Sequence, residues 1–287
     1  MAPRRRFVAP ARDALDPAVF ERPPLDDWHA HRDLLCGPRW PDIDTLETLR
    51  HAVEARDGIA RPRFVAQTPA LLADGEHYET RIAAGCLATR PDNWHDLFNA
   101  LIWLRWPTIK QALNARQVAE IADIGPKRRS RAQCALTHFD EAGLVVLVRD
   151  AGLLALWDAH DWHGLFWRER AAWQDGRIAV SVFGHALLEH ALEPHRLVVG
   201  KALAVCGDVA VDREVAIAAC AVRIAAGDVL GDPQELRPLP LSGIPGWHAT
   251  NAGEAFYVEA ECFRPLRPGR RYPPPLAPSP GLPGGPE

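Results

Sequence analysis

Residues Ala132 to Val148 read AQCALTHFDEAGLVVLV and hold the clearest β signal in the 287-residue chain. Two apolar runs, Ala132 to Phe139 and Leu144 to Val148, flank the tetrad Asp140-Glu141-Ala142-Gly143. This arrangement predicts a hairpin closed by a type I turn with a glycine bulge. On the first strand His138 and Asp140 would point to one face, beside Glu141 at the turn.

Outward from this centre the pattern turns helical. DNWHDLFNALIWLRWP, Asp92 to Pro107, begins a helix capped by Asn93 or Asp92, and Pro107 opens a second helix ending near Gly125. On the C-terminal side, 177–183 reads as a strand, Gly184 as a hinge, and 185–192 as a helix stopped by Pro194. HRLVVGKALAV reads as a strand, a helix begins at Asp212, and Tyr257 to Phe263 alternates as a late strand. Upstream, a helix starts near Thr45 and Arg63 to Gln67 forms a short strand, while Tyr78 to Ala84 reads either as a strand or as the lead into a helix. Strands and helices are interspersed without a βαβ rhythm. The expected fold is a single α+β domain, with helices packed around a small mixed sheet that contains a central β-hairpin. Residues 1–26 read as an irregular arm, 27–264 as the domain, and 265–287 as a Pro/Gly-rich disordered tail. No internal repeat is found.

Bulk properties narrow the function classes. With 47% apolar residues and ten Trp, the chain can bury a large core. A net charge of −4 and a pI near 6.3 disfavour nucleic acid as a partner bound through overall charge. The basic N-terminus lacks the apolar segment of a secretory signal, and no apolar run reaches the roughly 18 residues of a membrane span. Six scattered cysteines form no C-x-x-C pair and read as small buried hydrophobes, so a cytoplasmic location is expected.

Three polar constellations carry whatever chemistry there is. At the start of the Asp92 segment, His95 and Asn99 share a helix flank with Asp96, where Asn93 and Asp96 would serve equally as a capping network. In THFDEAG, His138, Asp140 and Glu141 are either a ligand group or ordinary turn residues. In FGHALLEH, His185 and Glu189 lie four apart on a helix that follows a strand, a pair able to hold a metal or to form a plain i,i+4 hydrogen bond. Brought together, they would supply the mixed nitrogen and oxygen donors of a metal site. Two further segments weigh less. PKRRSR, Pro126 to Arg131, is a basic loop, and WDAHDWHGLFWRERAAW, Trp157 to Trp173, has the helical spacing of core or interface. A Walker loop, G-x-S-x-G and G-x-G-x-x-G are all missing from the sequence.

The stretches YETRI, TRPDNWHDLFNALIWLRWPTIKQALN, LTHFDEAG and FGHALLE resemble a bacterial family termed domain of unknown function 3025, over approximately residues 20 to 265. That resemblance implies no activity, cofactor or substrate. From the residues themselves the first expectation is a metal-dependent hydrolase binding a divalent metal, Zn, Mn or Fe, through His95, His138, Asp140, His185 and Glu189. Asp96 or Glu141 would be the general base, and Arg90, Asn93 and Asn99 would contact a small-molecule substrate. The competing expectation is a non-enzymatic binding or assembly protein with a protein partner, using the Trp-rich segment and the Pro-rich tail. A weaker one is nucleic-acid association through Lys127 to Arg131.

Overall fold

A computed structural model describes residues 7–208 and 211–278. Its centre is a four-stranded sheet in the order β4-β3-β5-β6, built from β3 (Gly143–Val148), β4 (Ile178–Val182), β5 (Val199–Cys206) and β6 (Arg237–Pro240). β3 runs antiparallel to β4 and parallel to β5, and β5 runs antiparallel to β6. A separate parallel pair joins β1 (Arg63–Ala66) to β2 (Cys86–Thr89). Helices surround both sheets, so the chain is α+β, with a mixed sheet as expected.

The expected hairpin is not there. Residues Arg131–Ala142 are a helix, and only the second apolar run is a strand. The physical reason is legible afterwards: Ser130 and Gln133 form a reciprocal capping box, and Gln133, Ala135, Leu136 and Phe139 are buried with helical spacing. β3 is buried along its whole length because β4 and β5 flank it on both edges. The late strand over Tyr257 to Phe263 is also absent; Phe256–Glu259 is a single helical turn, and Tyr257 donates its hydroxyl to the Asn251 carbonyl. Of the two readings of Tyr78 to Ala84, the helix holds, as Tyr78–Ala83. The short strands β2 and β6 were not expected, and in β6 Pro238 and Pro240 suit an edge position where no ladder donor is needed.

Elsewhere local signals act as read. Asn93 caps the helix Trp94–Arg105, Pro107 opens the helix Pro107–Ile124, and Gly125 closes it. The Trp-rich segment is core: Trp157 and Trp162 are buried, while Trp167 and Trp173 are half-buried against Tyr257 and Phe166. The apolar surface patch that an assembly role would place there is not found among the described residues. The Pro-rich tail was expected to be disordered from Pro265. Its described part instead runs back along the sheet, where Leu276 bridges Val205 of β5, and 279–287 lie outside the described residues. Within the expected N-terminal arm, 1–6 also lie outside them, and Pro17–Glu21 is a short helix with Val19 and Phe20 buried.

One crossing sets the geometry of everything that follows. The Gly143 carbonyl accepts the amides of Phe183 and Gly184 at 2.9 and 2.8 Å. A Cβ on Gly184 would lie 2.5 Å from the Ala142 Cα, and one on Gly143 would lie 2.1 Å from the Phe139 carbonyl oxygen. Only glycine permits this approach, and it places the end of the helix Arg131–Ala142 against the start of the helix His185–Ala191. Gly184→Ala is therefore expected to destabilise the protein by about 1–3 kcal/mol in a urea titration. Gly253→Ala, whose Cβ would meet nothing within 4 Å, should leave the midpoint unchanged.

Candidate functional site

Three helix ends meet beside the glycine crossing. His95 lies in the first turn of Trp94–Arg105, Glu141 in the last turn of Arg131–Ala142, and His185 is the first residue of His185–Ala191. His185 Nε2 is 3.0 Å from His95 Nε2. Glu141 Oε2 lies 3.5 Å from the former and 3.8 Å from the latter. One ligand atom from each of the three residues therefore falls within 4.8 Å of the other two, which is the spacing of a shared cation.

Behind this triad sit its supports. Glu189, one turn along from His185, holds His95 Nδ1 at 3.1 Å, the arrangement in which a carboxylate fixes the ring and leaves Nε2 free to bind. Asp140 Oδ2 is 3.9 Å from His185 Nδ1, which has no well-formed hydrogen bond. Asp140 is in turn gripped by Lys110 at 2.5 Å, and Lys110 also donates to Asn99 Oδ1 at 2.8 Å. The Asn99 amide then reaches the Tyr78 hydroxyl at 3.1 Å. Deeper still, Asn114 donates to Glu79 Oε2 at 2.7 Å.

Burial and neighbours set the charges. Burial pushes His185 down to about 3, the Asp140 charge resisting, so this imidazole stays neutral at ordinary pH. Burial pulls His95 in the same direction, but its bond to Glu189 and the charges of Glu141, Glu189 and Asp96 outweigh it and leave it raised. Burial raises Glu141, with Asp140 and Glu189 adding to the effect against His95 and Lys110. For Asp140 burial also acts upward, yet the Lys110 ammonium, helped by the histidines, holds it below the usual carboxylate range. The result is one neutral imidazole, one basic imidazole and an ionisable carboxylate around a single point.

Of the residues read from the sequence, His95, His185, Glu141, Glu189 and Asp140 converge. His138 does not: on a helix it cannot share the face of Asp140, and it sits exposed on another flank near Lys201. Asn93 and Asp96 cap their helix instead of facing the triad. The Asn93 side chain accepts the Asp96 amide at 3.0 Å, and the Asp96 carboxylate takes both the Arg90 amide and its guanidinium at 2.6 Å. Asn99 is buried within the Lys110 network. The basic loop at Lys127 is exposed, with Arg131 paired to Asp232. Lys110, Tyr78 and Glu79 were not singled out from sequence. The signal for Lys110 was a lysine among Ile109, Ala112 and Leu113 on an apolar helix face.

A cleft of about 1040 Å³ adjoins the site, lined by Arg12, Trp40, Asn93 and Trp94, and it reaches Glu189. No described helix is long and apolar enough to cross a membrane. A family model described as a protein of unknown function (DUF3025) matches residues 62–267, the span that contains the whole triad and its supports. No curated protein and no solved structure matches the chain.

Glu79 gives the network a pH signature. Burial and the Asp140 charge raise its pKa against the Asn114 bond and Lys110. A carboxyl raised on folding favours the folded state at pH below its unfolded value, and this contribution is lost as pH rises through the folded value. Thermal melts of Glu79→Gln should match the parent near pH 4 and exceed it increasingly towards pH 8.

Proposed function

We propose, for a chain that belongs to the DUF3025 family, that Nε2 of His95, Nε2 of His185 and the carboxylate of Glu141 bind a divalent cation and that the protein is a metal-dependent hydrolase. The observation that carries this reading is the pair of Nε2 atoms facing each other at 3.0 Å. With Glu189 accepting from Nδ1, His95 presents a lone pair at Nε2, and a neutral His185 presents either a lone pair or its single N–H. If His185 uses that N–H on His95, its Nδ1 lone pair faces Asp140; if it turns the N–H towards Asp140, two lone pairs oppose each other. A cation between the rings removes the conflict, with Glu141 closing a two-nitrogen, one-oxygen set. A shared proton is the rival solution.

A Zn, Mn or Fe held by these three residues would supply Lewis-acid chemistry, lowering the pKa of water at the site towards neutrality. The chain's own residues do the rest. Glu189 orients His95 and borders the cleft in which a small-molecule substrate would lie. Lys110 keeps Asp140 ionised beside His185. This moves Glu141 from general base to ligand and gives Asp96 a purely structural role. A cytoplasmic setting belongs to the same proposal, supported by six cysteines that are all unpaired.

Elemental analysis of the purified protein beside His95→Ala, His185→Ala decides between cation and proton. Near-stoichiometric metal lost in the double variant is the expected result. No metal in either protein, with no thermal stabilisation by added Zn or Mn, would leave the proton in place and end the hydrolase reading. Glu189→Gln should keep one site per chain while weakening metal affinity about 10- to 100-fold.

A further inference from the structure

On the far edge of the sheet lies a second cleft, of about 750 Å³, that the metal reading does not use. Val199 and Lys201 of β5 and Pro238 and Pro240 of β6 face it from alternate positions, and 262–272 of the tail closes the other side. Its lining is strongly cationic, with Lys201, Arg264, Arg267 and Arg270, against the single acid Glu261. Among the described residues no ion pair reaches any of the four cations.

The backbone is tied down while these charges are left open. Arg264 gives its carbonyl to Trp162 Nε1 at 2.7 Å and lies 3.1 Å from His160 Nδ1, and His160 Nε2 meets the Tyr272 hydroxyl at 2.9 Å. Arg237 donates to the Pro273 carbonyl at 2.7 Å. Arg270 lies over the Tyr272 ring at 4.7 Å, and among the described residues its guanidinium hydrogen-bonds to Gln234 alone. Lys201 is the most exacting of the set. Its cross-strand partners are Gly143 and Pro238, neither of which can offer a counter-charge. Burial lowers its pKa, and Arg270 and Arg267 lower it further. A half-buried ammonium that shares its cleft with Arg267 and Arg270, in a chain of net charge −4, is an arrangement that a polyanion would relieve.

We infer that this cleft binds a small phosphorylated ligand, with Lys201, Arg267 and Arg270 taking its phosphate oxygens and Arg264 at the rim. A small ligand is favoured over a nucleic-acid strand because the tail and the β5–β6 edge flank an open cleft of nucleotide size, and because the exposed loop at Lys127 is not part of the lining.

Isothermal titration of the EDTA-treated full chain with inorganic pyrophosphate, at fixed ionic strength, tests the assignment. One saturable site is expected, weakened at least tenfold by Lys201→Gln and by Arg267→Gln. Without pyrophosphate, Lys201→Gln should melt no lower than the parent, since it removes a charge from among like charges. His95→Ala, His185→Ala should bind as the parent does, which separates this cleft from the metal cluster. Absence of saturable heat, or unchanged binding in Lys201→Gln, overturns the proposal. Displacement of pyrophosphate by an oligonucleotide with steep salt dependence would overturn it in favour of a nucleic-acid surface.

Discussion

The structure depends on one carbonyl shared by two amides. At Gly143 the chain leaves a helix and enters the central strand without an intervening loop, and there its carbonyl holds Phe183 and Gly184 as they leave β4. Neither glycine tolerates a side chain at this distance. The contact fixes how β4 and β3 end together, and so where the next helix begins. Glu141 and His185 are thereby neighbours for a backbone reason, before any attraction between their side chains is considered. His95 arrives separately, on a helix whose face Leu97, Phe98, Leu101 and Ile102 bury completely.

Where the sequence could be read depended on whether the deciding interaction was local. Asn93 caps its helix through an amide three residues away, and Pro107 and Gly125 act within their own turns, so these boundaries were legible. The segment Ala132 to Phe139 was misread because its apolar residues outnumber its polar ones, which hides a helical period; the Ser130–Gln133 capping box was the overlooked local sign. Strands β2 and β6 are short and exist through their partners, which no local pattern announces. The site followed the same rule. His95, His185 and Glu189 were identifiable by type and spacing, whereas the mistaken inclusion of His138 followed directly from reading its helix as a strand. Lys110, Tyr78 and Glu79 join the network only through contacts across 11 or more residues of chain.

The two clefts divide the molecule's charge. Around the triad, Glu141, Glu189 and Asp140 face a single buried ammonium and two imidazoles, an excess of negative charge suited to a cation. At the β5–β6 edge the balance is reversed. A chain whose overall charge is nearly neutral thus keeps opposite fields on separate faces, which composition alone does not display.

The three ligand atoms come from helix ends spaced roughly 45 residues apart along the chain, so an ion held by all three would close two long loops at once. Such an ion is a cross-link as well as a reagent, reducing the freedom of the unfolded chain much as a staple does. Where the ion goes, part of the domain's stability would follow: a cell that runs short of metal would hold a chain that still folds but opens more readily, making the same three residues a gauge of supply.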